Sequence, residues 1–511
     1  MQFALLTKDG LKKSLGFVGV LALSLGAALV FVTVAYAGNV LLGFVSGLAL
    51  LMPIGVIIFF SEARFRVWWG RANVVLLPMG LIVKFELGVV AVNFALFIFF
   101  INLLIILTDK LLGTPRSPKR KSFIRWPLLI WFVVIVLSTF LSRQPYYGFM
   151  DLIPLLLSAS VFAYLRNYVE SEEEVERLIK FFAVGVGYAL LIGLLEVQTG
   201  HLYGPLFRQS NITADFGADL RTTGPFDNAN SYAYFAGVGA LFFAPLFFYW
   251  KDWKWKLVSA GFFLAGSLLV VNTFSRGGLI GFAGGLVFML LALAPPGKKL
   301  VIWMIIIPMV LGAGVVYLSS GVGGKRSLGV SMENIQGSIQ QAMLTGDEEA
   351  LNDIISFAAR PIIWINALSF WSESPLIGIG HHNFLFRFHA VAPDILATIL
   401  YMITHTHNIF INTLTEEGLI GLGCLIAIIV QLLRFLVGGI RHRRTMIGYL
   451  AIGLAAVFVH IFTHGLIDSV IVIGSHSVEA GVFFLMLAFS SFVADAVIRR
   501  REKEKLAAET A

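Results

Sequence analysis

The chain alternates long apolar runs with short polar interruptions, and the runs have the length that crosses a bilayer. A membrane-spanning helix needs about 20 mostly apolar residues, and twelve to fourteen stretches qualify. The clear ones run near 15–37, 39–60, 88–108, 126–141, 148–165, 179–197, 231–250, 256–272, 278–295, 299–318, 408–433, 446–465 and 478–497. A weaker one, 67–83, is interrupted by Gly70, Arg71 and Pro78. The first run follows Lys8, Lys12 and Lys13 and ends in Ala35-Tyr36-Ala37, which imitates a signal peptide with its cleavage site. Its apolar stretch exceeds the usual ~7–15 residues, so the pattern predicts an uncleaved first helix. The fold class that follows is an all-α polytopic membrane protein.

Polar positions orient the bundle. Basic clusters occur at Arg116 to Arg125, Lys251 to Lys256, Lys298-Lys299, Arg434 to Arg444 and Arg499 to Lys505. Placing all of them in the cytoplasm agrees with the number of spans between each pair. The same parity puts two longer polar stretches, 198–230 and 319–406, on the outer face. The second carries four Lys and Arg against seven Asp and Glu, 4 − 7 = −3. Within it, 332–343, 348–359 and 362–371 are long enough for helices, and Pro361 suits the first turn of the last. On the cytoplasmic side, Ser171-Glu172-Glu173-Glu174 has capping-box spacing and opens an acidic helix.

Composition agrees. Hydrophobic residues make up 58% of the 511 and charged residues 13%, where a soluble domain has about 25% charged. Lys and Arg exceed Asp and Glu, 38 − 30 = +8, but this surplus sits in the cytoplasmic loops, where it sets orientation and implies no nucleic-acid partner. The lone Cys424 lies in an apolar run and excludes a disulfide scaffold. No internal repeat, low-complexity segment or soluble second domain is evident.

Candidate chemistry concentrates in the second half. Leaving out His442 in a basic loop, eight of the ten histidines fall between 381 and 476: His381, His382, His389, His405, His407, His460, His464 and His476. The densest piece, Thr404-His405-Thr406-His407-Asn408, precedes the span carrying Glu416 and Glu417. A histidine at a helix mouth can take a proton at neutral pH, with Asn408 orienting it or binding a sugar hydroxyl. The competing reading is that the His-Asn pair caps the helix. Arg276 sits in a very short turn between spans, followed by two glycines that let a head group approach. Its planar charge suits phosphate or pyrophosphate. Arg221, with Asp227, Asn228 and Asn230 nearby, and Arg360 are further outer arginines, better explained together by an anionic ligand than by separate salt bridges. The zinc-protease spacing and an Asp-rich magnesium triplet are both absent, so no metal or other cofactor is expected. His464 and Asp468 are expected to hydrogen-bond to each other and brace the site.

These pieces together, Arg221 to Asn230, Ser275 to Gly278, the Arg360 helix closing on Pro375 to Gly380, and His407-Asn408 followed by Glu416 to Gly421, resemble the O-antigen ligase and O-antigen polymerase family over roughly 220 to 470. The resemblance divides the chain into N-terminal spans (1–197), a ligase-like catalytic region (198–476) and a last span with a basic tail (477–511). It implies an inverting, metal-independent glycosyltransferase of the membrane-embedded GT-C type in the bacterial inner membrane, with its active face in the periplasm. Its donor is a glycan on undecaprenyl pyrophosphate. Its acceptor is lipid A core for a ligase, or a second lipid-linked glycan for a polymerase. Carried onto this chain, His407 becomes the base and Arg276, Arg360 and Arg221 the pyrophosphate ligands. Asn408, His405, Glu416, Asn230, His464 and Asp468 support the site or bind sugar. A transporter of lipid-linked glycans or ions is the reading of another class, but the paired halves that transporters usually show are not apparent.

Overall fold

The computed structural model describes residues 63–79, 84–87, 90–112, 123–169, 171–200, 221–226, 228–295, 359–391, 405–442, 444–469 and 477–510. The spans expected at 15–37, 39–60 and 299–318 lie outside the described residues, as do His476, Asp227 and the short helices expected at 332–343 and 348–359, apart from Ala359 itself.

In chain order the described elements are α1 (Ala63–Leu76), the hairpin β1 (Lys84–Leu87) and β2 (Val90–Asn93), α2 (Phe94–Leu112), α3 (Arg125–Phe140), α4 (Pro145–Tyr168), α5 (Glu172–Thr199), α6 (Ala229–Phe243), α7 (Trp253–Asn272), α8 (Arg276–Leu293), α9 (Ala359–Glu373), α10 (Phe384–Val391), α11 (Ile409–Ile440), α12 (Met446–Gly465) and α13 (Ser477–Thr510). Eight of these, α4 to α8 and α11 to α13, are long and apolar enough to cross a membrane, α6 together with the 3-10 turn Ala244–Phe248 that continues it. The protein is an all-α polytopic membrane protein with one small hairpin among its described residues.

Three stretches differ from the pattern read along the chain. The run expected as one span from 88 to 108 begins with the hairpin, in which Lys84 faces Asn93 antiparallel, and becomes helical only at Phe94. Lys84-Phe85-Glu86-Leu87 alternates polar and apolar positions, the period of a strand and not of a helix. The weaker 67–83 stretch is not a single span either. Its helix stops at Leu76 and a 3-10 turn, Leu77–Met79, forms around Pro78, which cannot continue the hydrogen-bond ladder. The acidic segment after Ser171 is no separate helix but the first turn of α5. Ser171 caps it by accepting from Glu174 N at 3.1 Å, and the helix runs on to a left-handed Gly200.

Helices α6, α12 and α13 are buried along most of their length and form the centre, while α7 and α8 turn most of their surface outward. Where α8 meets α12, Gly277, Gly281 and Gly285 form a stripe at four-residue spacing. A Cβ on each would lie 2.6 Å from His464 Cδ2, His460 O and Ala456 O respectively. Small residues at this spacing let two membrane helices approach closely.

Helix α11 is broken at Gly418, whose φ of 69° and ψ of −168° no helix contains. The freed backbone groups are taken up by the loop after α9. Ile379 N and Gly380 N donate to Thr415 O and Glu416 O, both at 3.0 Å. Leu419 N and Ile420 N donate to Pro375 O and Leu376 O at 2.9 and 3.1 Å. Irregular backbone at this depth is tolerated because protein, not lipid, satisfies it. The two segments lie so close that a Cβ on Gly378 or Gly418 would come within 2.3 or 2.4 Å of the other's backbone.

Candidate active site

Asp468, just beyond the end of α12, is the hub. Its Oδ1 lies 3.1 Å from His407 Nδ1 and 3.2 Å from His405 Nε2, and also accepts from Ser469 N at 2.9 Å. Its Oδ2 accepts from Asn230 Nδ2 at 2.7 Å. Burial pushes this carboxyl up, but the hydrogen bonds from His405 and His407 outweigh it and hold Asp468 well below the usual carboxylate range. A carboxylate facing His407 Nδ1 fixes the proton there and leaves Nε2 as the acceptor nitrogen. His407 itself sits in the left-handed region at φ 52°. That conformation is strained for a non-glycine residue and is found disproportionately at functional sites.

Among the described residues, Thr406 and Asn408 tie this loop to three helices. Trp364 Nε1, one helical turn beyond Arg360 on α9, donates to Thr406 O at 2.9 Å. Thr406 N donates to Asn412 Oδ1 at 3.2 Å. Asn408 caps α11 by accepting from Phe410 N and Ile411 N, and its Nδ2 donates to Leu466 O at 3.0 Å. The capping reading of Asn408 is therefore the one the geometry fits, because both ends of its amide are engaged with backbone.

Arg221, Arg276 and Arg360 converge on one cavity of about 80 Å³, lined also by Asn230, Ser275, Gly277, His464 and Asp468. A single water needs about 10–15 Å³ of such space, so a group of several heavy atoms fits. Arg221 is aimed by bonds from Nε to Thr273 O (2.9 Å) and from a terminal nitrogen to Asn230 Oδ1 (3.1 Å). Its loop hangs from Glu196, a fully buried carboxylate of α5 whose Oε2 accepts from Thr223 N at 2.9 Å and Gly224 N at 2.7 Å. Arg276 opens α8, where Ser275 caps Gly278 N at 3.2 Å, so the positive end of the helix dipole also faces the cavity. Arg360 Nε is buried without a partner among the described residues. Burial pulls the Arg360 guanidinium below the usual arginine value, with Asp468 opposing that shift and Arg276 adding to it.

The expected side-chain bond between His464 and Asp468 does not form. Only the backbone links them, Asp468 N donating to His464 O at 3.0 Å, because the carboxylate faces His405, His407 and Asn230. Glu416 also stands apart from the arginine cavity. It belongs to a second buried cluster with His381, Glu417 and Asp151. His381 Nδ1 lies 2.9 Å from Glu417 Oε1 and 3.8 Å from Glu416 Oε2, and its Nε2 lies 3.0 Å from Asp151 Oδ2. Burial alone would lower the His381 imidazole, but Asp151 and Glu417 raise it well above the usual histidine value. Glu416 reaches the histidine loop through Asn412, which donates to its Oε2 at 3.0 Å. His460 packs in the core, its Nε2 3.1 Å from Tyr234 O. Asp151, Glu196 and the pairing role of His381 were not recognised along the chain. The available signal was ionisable residues inside apolar runs.

Two trios present ligand atoms within 4.8 Å of one another and could hold a metal ion: His405, His407 and Asp468, and His381, Glu416 and Glu417. In the first, ring nitrogens donating to a shared carboxylate account for the 3.1 and 3.2 Å separations.

The site lies at one end of the bundle. The N-termini of α6, α8 and α11 and the C-termini of α7 and α12 meet there, whereas Lys251, Lys254, Arg441, Arg444 and the basic end of α13 belong to the opposite helix ends. Residues 260–426 match the O-antigen ligase family, a family of membrane glycosyltransferase-like ligases and polymerases whose substrates are lipid-linked glycans. No curated protein matches the chain.

Proposed function

We propose, from the match of residues 260–426 to the O-antigen ligase family, that the chain transfers a glycan from undecaprenyl pyrophosphate to an acceptor hydroxyl of lipid A core. The reaction is inverting and needs no metal, in a GT-C-type site facing the periplasm of a bacterial inner membrane. The observation that carries the reading is the adjacency of a cation-lined cavity to an Asp-His pair. Around the cavity, three arginines and one carboxylate leave 3 − 1 = +2 of formal charge, which complements a pyrophosphate. The face opposite the basic helix ends is the outer one under the positive-inside rule.

His407 Nε2 takes the proton of the acceptor hydroxyl while Asp468 holds Nδ1 and stabilises the imidazolium that forms. The acceptor oxygen bonds to the anomeric carbon as its bond to the phosphate oxygen breaks on the opposite face. Negative charge builds on the departing lipid pyrophosphate, where Arg276, Arg360, Arg221 and the N-terminus of α8 are already oriented toward it. His405 shares Asp468 and keeps the carboxylate in register, and Asn230 couples it to Arg221.

The test is single-turnover transfer from a purified lipid-pyrophosphate glycan in EDTA. Full transfer by His407→Ala or Arg276→Ala overturns the roles given to them, and loss of transfer in EDTA alone shows that a metal is required. Offering lipid A core and a second lipid-linked glycan side by side separates a ligase from a polymerase, since the donor-side groups serve both. Movement of the lipid with no glycosidic bond formed refutes the transferase reading in favour of transport.

A further inference from the structure

The chemistry above gives no role to one buried group on the wall of the arginine cavity. His464, in the last turn of α12, is only 1% exposed, and neither Nδ1 nor Nε2 has a hydrogen-bond partner among the described residues. Burying an imidazole this way is unfavourable, and a leucine of similar bulk would avoid the loss. The ring is nevertheless held firmly in place. Gly277 and Gly281 of α8 pack against it so closely that a Cβ on either would come within 2.6 or 3.0 Å of His464 atoms. Asp468, the carboxylate lining the same cavity, has its oxygens engaged by His405, His407, Asn230 and Ser469.

His464 lines the same cavity as the three arginines. An imidazole keeps at least one N–H donor, and guanidinium offers donors only. The wall is thus rich in donors and poor in acceptors, so the occupant that satisfies it must bring several acceptor oxygens of its own. We propose that His464 donates a ring N–H to a phosphate oxygen of the pyrophosphate, as a fourth side-chain ligand beside Arg221, Arg276 and Arg360. This rests on the pyrophosphate reading of the cavity and adds to it a reason for an imidazole at this position. No bond is made or broken by His464; its proton stays on the ring throughout. Among the described residues nothing accepts from the ring, and a phosphate oxygen supplies that acceptor.

The experiment uses the full chain in detergent, with farnesyl pyrophosphate as probe, and follows both melting temperature and affinity for the parent, His464→Leu, His464→Gln and Arg276→Ala. The expected result is that His464→Leu melts no lower than the parent without ligand, yet binds the probe about 10- to 100-fold more weakly. His464→Gln, which keeps a donor, recovers part of that loss. Parent-like binding by His464→Leu, with Arg276→Ala weakened, overturns the role of His464 and leaves the pyrophosphate reading standing. Absence of binding by the parent overturns both. Should His464→Leu fail to fold, the imidazole nitrogen NMR signals of His464 in the parent decide. They shift on addition of the probe if His464 is a ligand, and an unchanged signal refutes it.

Discussion

Replacing Asp468 by asparagine tests the Asp-His pair most directly, because the change is nearly isosteric and its consequences can be counted. Oδ1 faces His407, His405 and Ser469 N, and Oδ2 accepts from Asn230. An asparagine can keep its oxygen toward the histidines, but its NH2 then confronts the NH2 of Asn230. Turning Asn230 over relieves that clash only by presenting NH2 to Arg221, which now bonds Asn230 Oδ1 at 3.1 Å. Either way one buried bond to a charged partner is lost, at about 1.5–3 kcal/mol, and the imidazolium formed during transfer loses its counter-charge. Together these remove most of what a positioned base contributes, ~10²–10⁴-fold in rate, or about 2.7–5.4 kcal/mol at 1.36 kcal/mol per tenfold. The assay is single-turnover transfer at saturating donor, with the variant's melting temperature and probe binding measured in parallel. A folded Asp468→Asn protein that transfers within about threefold of the parent would refute the pairing of Asp468 with His407 as the basis of proton removal, since an intact base contributes at least ~10²-fold.

Three further outcomes are expected. Glu196→Ala leaves Thr223 N and Gly224 N buried and unpaired, which costs about 1–3 kcal/mol for each. It lowers the melting temperature and reduces transfer more at low donor concentration than at saturation, because the Arg221 loop loses its anchor. His381 has its folded value raised, so the stability it contributes is fully present below the unfolded value of about 6.5 and is lost as pH rises through the folded one. Melting temperature in detergent therefore falls on the alkaline side in the parent, and His381→Gln flattens that fall. Gly418→Ala puts a side chain at φ 69° with its Cβ 2.4 Å from Leu376 carbonyl atoms, a loss of about 2–6 kcal/mol from strain and overpacking combined. Gly423→Ala on the same helix meets nothing within 4 Å and leaves thermal melting at or above that of the parent.

Much of this protein follows from local rules. In a bilayer every backbone group must find a partner within the protein, most simply within its own helix, so apolar run length marks most of the described spans, while 67–83 and the start of 88–108 depart from it. The run expected at 446–465 is the helix Met446–Gly465 to the residue, and Ser171, Asn228, Ser275 and Asn408 can be read as helix starts because capping depends on neighbours one turn away. The clustering of histidine in one half, and arginine on the side against the charge bias, likewise flags a site before any coordinates. Partners distant in sequence are decided otherwise. Asp468 turns from the near His464 to His405 and His407, 63 and 61 residues away, because the α8 glycines draw His464 toward the arginine cavity while the tethered loop brings the histidines to the carboxylate. Gly418 and Gly378 appear as ordinary glycines until the broken helix and the loop dock on each other. Residue types and their spacing determined the membrane address, the helix ends and the candidate groups; only packing between helices decided which donor meets which acceptor, since that depends on approach distances no local pattern encodes.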